Sequence, residues 1–159
     1  MIVKSGDDIR QEQFAIQLIS LAYQIFNAKR LRLWLYPYEI VATGPSSGIV
    51  EVVPDALSID GIKKNLPTGI TTLFEYFVYN YGDVNSPTFK KARDNFTESL
   101  AAYSLVSYIL QIKDRHNANL LIDKDGHIVH IDFGFLLSNA PGKGIRFESA
   151  PFKLTNEFV

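Results

Sequence analysis

Residues 112–134, IKDRHNANLLIDKDGHIVHIDFG, hold all three histidines of the chain, His116, His127 and His130, together with Asp114, Asn119 and Asp132. Groups of these kinds bind metal ions or move protons, and two chemistries compete for them. One is a histidine metal site. His127 and His130 stand three apart in a run that reads as a strand. Their side chains would therefore point to opposite faces and could not chelate one ion without a bulge. His116 precedes that run and could reach one of them, but not obviously both. Ordinary strand residues are the better reading of His127 and His130, and a metal-dependent hydrolase is demoted with the cluster.

The other chemistry is phosphoryl transfer. It needs metal ions between phosphates, an acceptor for the proton of the attacking hydroxyl, and cations around the spreading negative charge. Asn119 follows Asp114 by five residues, the interval found in the kinase catalytic loop H-R-D-x-x-x-x-N. Asp132 opens an Asp-Phe-Gly triplet at the far end of NLLIDKDGHIVHID, which reads as a β-hairpin turning at DKDG. A hairpin between Asn119 and Asp132 returns the chain, so that an amide and a carboxylate can face one Mg²⁺ site. A lone Asp-Phe-Gly is weak evidence. The triplet and the spaced Asp/Asn loop together, on one hairpin, are strong.

The elements that must position these groups are periodic. DDIRQEQFAIQLISLAYQIF carries apolar residues at helical spacing behind an acidic first turn. LRLWLYPYEIVAT and GIVEVV read as two strands separated by GPSSG. PDALSIDGIKKN and TTLFEYFVYNYG read as short helices, and residues 86–112 as a long one with Pro87 in its first turn. Phe89, Phe96, Tyr103 and Leu110 fall on one face of that helix. The pattern is that of an α+β fold.

With 159 residues, 47% of them hydrophobic and 13% aromatic, the chain can bury a core. A net charge of -1 gives no general attraction to nucleic acid or anionic lipid, so binding of either phosphate or lipid must be local. The absence of cysteine excludes disulfides and thiolate metal sites and fits a cytosolic setting. MIVKSGDD has no apolar signal region, and SLAAYSLVSYILQI is too short to span a bilayer.

In DRHNANLLID the histidine follows the aspartate, whereas in protein kinases it precedes it. With HIDFG, this order closely resembles the phosphatidylinositol 3- and 4-kinase superfamily, over essentially the whole chain. LWLYPYEIVAT, LAAYSLVSYILQIKDRHNANLLID and FESAPFKLTNEF resemble type III phosphatidylinositol 4-kinases, the beta type more than the alpha. The resemblance implies the catalytic core of a lipid kinase, truncated at both ends: an N-lobe remnant and hinge at about 1–53, and the start of a mainly helical C-lobe at about 54–159.

It also implies ATP with Mg²⁺ or Mn²⁺ as cofactors and phosphatidylinositol at a membrane surface as the substrate, phosphorylated at its 4-hydroxyl. A cytoplasmic, peripheral location at the Golgi goes with it. Lys4 matches the lysine on the ATP phosphates and Glu12 the helix acid that orders it. Glu51 and Val53 match the hinge positions that meet adenine, and Tyr38 and Ile131 positions lining the nucleotide pocket. Asp114 and His116 match the catalytic loop, either being the base, while Asn119 and Asp132 match the metal ligands. Arg115 reads as structural, paired with a carboxylate.

Lys143 and Arg146, opposed by Glu148, fall in the segment that matches the activation loop receiving the lipid headgroup. So small a positive surplus suits a lipid with a single phosphodiester. The glycine-rich loop expected before Lys4 and the helices expected after Val159 are missing, as in a fragment of a larger kinase. A remnant that holds nucleotide or partners without turnover is the alternative.

Overall fold

Two small antiparallel sheets, each backed by one long helix, form the framework of the computed structural model, which describes residues 1–6, 8–137 and 152–158. The first sheet holds β1 (Ile2–Ser5), β2 (Ile40–Gly44) and β3 (Ser47–Val50), in the order β1-β3-β2. Its register sets Lys4 opposite Gly48 and Val41 opposite Ile49, with an irregularity between Ala42 and Gly44. Helix α1 (Arg10–Ala28) buries Ala15, Ile16, Ile19 and Phe26, the stripe that its periodicity dictates. Gly48 leaves room for Ile9, since a β-carbon there would stand 1.9 Å from Ile9 Cδ1.

The second sheet has the order β4-β5-β6, from β4 (Ala56–Ser58), β5 (Leu120–Asp123) and β6 (Ile128–His130). Leu120 pairs with His130 and Ile122 with Ile128, and Leu120, Ile122, Ile128 and Val129 are fully buried. Helix α2 (Ile59–Lys64) starts at Ser58, whose hydroxyl accepts from the Gly61 amide. Helix α3 (Leu73–Tyr81) opens on a capping box formed by Thr72 and Glu75. Helix α4 (Pro87–Leu110) is capped by Ser86, begins with proline and ends at Gln111 in the left-handed region. It turns Phe89, Ala92, Ser99, Tyr103 and Val106 into the core and packs on β6 and α3.

Two segments differ from the sequence expectation. Residues 31–39 read as a strand but join no ladder. The Tyr103 hydroxyl takes both polar groups of Tyr36, accepting from its amide at 3.2 Å and donating to its carbonyl at 3.3 Å. Leu35 and Tyr38 are buried there without strand pairing. PDALSIDGIKKN reads as a helix, yet Ala56–Ser58 pair with β5. Asp55 has φ 50° after Pro54, which breaks any helix before the Ser58 cap.

The β5–β6 turn is fastened on both sides. The Asp123 carboxylate accepts from the Asp125 and His127 amides and lies 2.8 Å from His127 Nδ1. Burial alone would raise its pKa, but hydrogen bonds from His127 outweigh that and hold it below the usual range. The His127 ring stacks on Trp34 at 3.9 Å. Gly126, at φ 89°, lies so close to α4 that a β-carbon would stand 2.8 Å from the Ala92 carbonyl and 2.9 Å from its Cβ. Gly126→Ala should therefore destabilise the fold by roughly 2 kcal/mol or more, from backbone strain and overpacking together. Denaturant unfolding beside the unsubstituted protein measures it, and a difference below about 0.5 kcal/mol would contradict this account of the turn.

Candidate active site

The residues between α4 and β5 and those after β6 meet at the base of the hairpin. The Ile131 amide donates to the Asn119 carbonyl at 3.0 Å, continuing the β5–β6 pairing by one step. That step sets Asn119 beside the Asp-Phe-Gly segment. Asn119 Nδ2 donates to the Asp114 carbonyl at 3.1 Å and lies 3.3 Å from His116 Nε2. Asp114 Oδ2 is 3.7 Å from the same nitrogen, too far for a hydrogen bond. The Ala118 amide approaches His116 Nδ1 at 3.2 Å. A neutral imidazole accepts at one ring nitrogen only, so the Ala118 and Asn119 contacts are alternatives. Asp114, His116 and Asn119 are thus brought together, and Asp132 follows one residue after the Ile131–Asn119 pairing.

Asp114 and Asp132 share an uncommon backbone state, with φ 62° and 60°. Left-handed non-glycine residues carry strain that the surroundings must hold in place. The holder here is Arg115, which is buried. It donates to the carbonyls of Lys113 at 3.0 Å and Ile131 at 2.7 Å, and also to the carbonyl of Asp132. Its guanidinium lies 5.3 Å from the Phe133 ring centre. The sequence suggested a carboxylate partner for this arginine. Among the described residues its hydrogen bonds go to these carbonyls, which make it a clamp between the two loops, a role that no sequence spacing signals.

A second chain of contacts reaches Asp132 from the first sheet. Lys4 Nζ donates to Glu12 at 2.8 Å, and the Tyr38 hydroxyl donates to the other Glu12 oxygen at 3.0 Å. The Asp132 amide donates to that same hydroxyl at 3.3 Å. Glu12 and Tyr38 are both buried, so the carboxylate is tolerated through its two partners. Burial and the Glu12 charge push the Tyr38 phenol far above its ordinary range, and it stays protonated. Tyr38 also stacks on Phe133. Gln11 adds a tie from α1, donating to the Gly134 carbonyl at 2.9 Å.

Glu51 is occupied on two sides. Its carboxylate accepts from the Tyr36 hydroxyl at 2.9 Å and the Glu39 amide at 2.8 Å, and its own amide donates to Glu39. Among the described residues, its carbonyl and the amide of buried Val53 make no further hydrogen bond. Ile131 is half-buried against the core. His130, stacked on Tyr103 at 4.4 Å, is held neutral by burial and by the Arg115 charge. His127 and His130 occupy separate surroundings, one on Trp34 and one on Tyr103. Lys143 and Arg146 lie outside the described residues.

A divalent ion can be tested against these donors. With Nδ2 of Asn119 given to the Asp114 carbonyl, its Oδ1 remains an acceptor. The Asp132 carboxylate is exposed and pairs with no group among the described residues. One amide oxygen and one carboxylate are hard oxygen donors of the kind Mg²⁺ takes alongside phosphates and water. The residues fit such an ion.

A metal-competent Asn/Asp pair, two candidate proton acceptors and a lysine held by a buried acid make a site suited to phosphoryl transfer. A family model described as phosphatidylinositol 3- and 4-kinase matches residues 1–68 and 63–159, and the chain belongs to this family. Over its whole length it is 60% identical to a phosphatidylinositol 4-kinase of Dictyostelium discoideum, of which it covers 13%. It is likewise 58% identical to phosphatidylinositol 4-kinase beta 1 of Arabidopsis thaliana, covering 14% of it. Over 99% of its length it is 49% identical to phosphatidylinositol 4-kinase stt4 of Schizosaccharomyces pombe, covering 8% of that protein. The chain thus spans a small part of the relatives it matches.

If the Tyr38 hydroxyl joins Glu12 to Asp132, Tyr38→Phe leaves one acceptor and one amide underused. Stability should fall by about 1–3 kcal/mol. In a double-mutant cycle with Glu12→Gln, the two changes should couple by about 0.5 kcal/mol or more. Additive effects in denaturant titrations would show that the hydroxyl does not hold Glu12.

Proposed function

We propose that the protein containing this chain transfers the γ-phosphoryl group of ATP to the 4-hydroxyl of phosphatidylinositol, giving phosphatidylinositol 4-phosphate. The observation that carries this reading is the convergence of Asp114, His116, Asn119 and Asp132 at the base of one hairpin. The names of the relatives, phosphatidylinositol 4-kinases, support the substrate and the position phosphorylated. Residues 1–53 act as part of an N-lobe with the hinge, and residues 54–159 as the beginning of a C-lobe. Beta type is the favoured assignment, with action at the cytoplasmic surface of Golgi membranes. Among the described residues, no helix is long and apolar enough to cross a membrane.

Each residue has a definite task in this reading. Lys4, oriented by Glu12, places a point charge on the nucleotide phosphates. The Glu51 carbonyl and Val53 amide meet the adenine edge, while Tyr38 and Ile131 line the pocket. Asn119 and Asp132 hold Mg²⁺ or Mn²⁺. Bound there, the ion neutralises charge on the phosphoryl oxygens during transfer. Asp114 or His116 receives the proton of the inositol hydroxyl, and their 3.7 Å separation lets one hydroxyl approach both. A remnant without turnover is the weaker reading, because all four groups are present and Asp114, His116 and Asn119 lie in mutual contact.

Asp132→Asn in the full-length protein should lower kcat by at least about a thousandfold, since a charged ligand worth several kcal/mol to the transition state is lost. A melting temperature close to that of the unsubstituted protein would accompany the loss. Turnover within tenfold of normal would overturn the assignment.

Lys143 and Arg146 in the activation segment bear on substrate choice. Each added phosphomonoester brings roughly 1.5 to 2 negative charges, so the two of a bisphosphate bring more than this pair, opposed by Glu148, can match. In side-by-side vesicle assays, phosphatidylinositol should be preferred to its bisphosphate, with the product at position 4. Preference for the bisphosphate, or a 3-phosphate product, would contradict the reading.

A further inference from the structure

Lys153 stands after the activation segment, in the extended residues 152–155. It lines an open pocket of about 480 Å³ together with His116, Asn117, Arg115 and Asp60. Two nearby carboxylates have other partners. Asp60 pairs with Lys64 at 2.7 Å, and Glu157 with Lys63. Among the described residues, the Lys153 ammonium has no ion pair.

The backbone that carries it is anchored on its far side. Phe158 rests against Phe96, ring centres 5.8 Å apart, and Glu157 holds α2 through Lys63. The Thr155 hydroxyl is buried in a small cavity shared with Ser107, His130 and Arg115. A lysine on an anchored segment, beside a candidate proton acceptor and facing an open pocket, suits a phosphate-class anion. The pocket lining includes none of Lys4, Glu12, Tyr38 or Asp132, the groups assigned to the nucleotide side. The anion that fits is therefore carried by the acceptor.

We propose that Lys153 binds the phosphodiester of the inositol lipid and so sets the reacting hydroxyl against Asp114 and His116. This rests on the acceptor reading above. A compact ammonium matches a singly charged diester, which needs no bidentate fork.

The test uses the full-length protein with vesicles of phosphatidylinositol in phosphatidylcholine, varying lipid fraction and ATP separately. Lys153→Met should raise the half-saturating lipid fraction about tenfold, equivalent to ~1.4 kcal/mol, with half-saturating ATP changed less than twofold. Lys153→Arg should restore most of the lipid dependence, and Lys153→Glu should be worse than Met for lipid alone. An unchanged lipid dependence in Lys153→Met overturns the proposal, as does a parallel rise for ATP, which would give the lysine to the nucleotide. Glu no worse than Met would also overturn it, since charge would then not be what the pocket reads. The outcomes separate from failure of the acceptor reading, in which the unsubstituted protein itself forms no phosphatidylinositol 4-phosphate.

Discussion

One buried hydroxyl joins the two halves of the site. Tyr38 donates a hydrogen bond to Glu12 and accepts one from the Asp132 amide, so the acid that orients Lys4 and the segment that carries the candidate metal ligand share one atom. Everything else near the site serves to keep that atom where it is. Phe133 lies between the Tyr38 ring and the Arg115 guanidinium, and Arg115 grips the carbonyls on either side of the Asp132 peptide. A protonated phenol is essential to this arrangement, because a phenolate could not donate to a carboxylate. Burial supplies that condition.

The rear of the site is built from aromatic and amide contacts rather than charge. Tyr103, fully buried on α4, fixes Tyr36 by its backbone and carries His130 on its ring. Tyr36 in turn fixes Glu51, and the hinge backbone follows. The long helix thus positions both the Glu51 segment, the proposed nucleotide edge, and the strand leading to Asp132. Its core-facing residues do more than fill space.

Much of this was legible in the sequence, and the exceptions have physical causes. Helices α1, α3 and α4 follow apolar periodicity and capping residues, and the β5–β6 hairpin follows DKDG. The spacing of Asp114, Asn119 and Asp132 around that hairpin pointed to their convergence, because a tight turn leaves the chain few alternatives. Residues 31–39 were misleading, since their aromatic and apolar residues read as a strand while a side-chain hydroxyl satisfies the backbone at Tyr36. β4 was hidden because three residues carry too little pattern to outweigh the helix that follows. The carbonyl clamp of Arg115 and the closure of Tyr38 onto Asp132 were not legible at all. Backbone acceptors are the same at every position and leave no mark in composition.

The left-handed backbone at Asp114 and Asp132 sets protein durability against chemistry at two positions. Glycine would relax both and gain stability, yet each replacement would remove a carboxylate to which the proposed reaction gives a role. A laboratory selection for heat resistance alone would therefore be rewarded for discarding the active groups first. Thermostable variants of this domain are best sought with turnover in the screen, because survival after heating would enrich inactive protein.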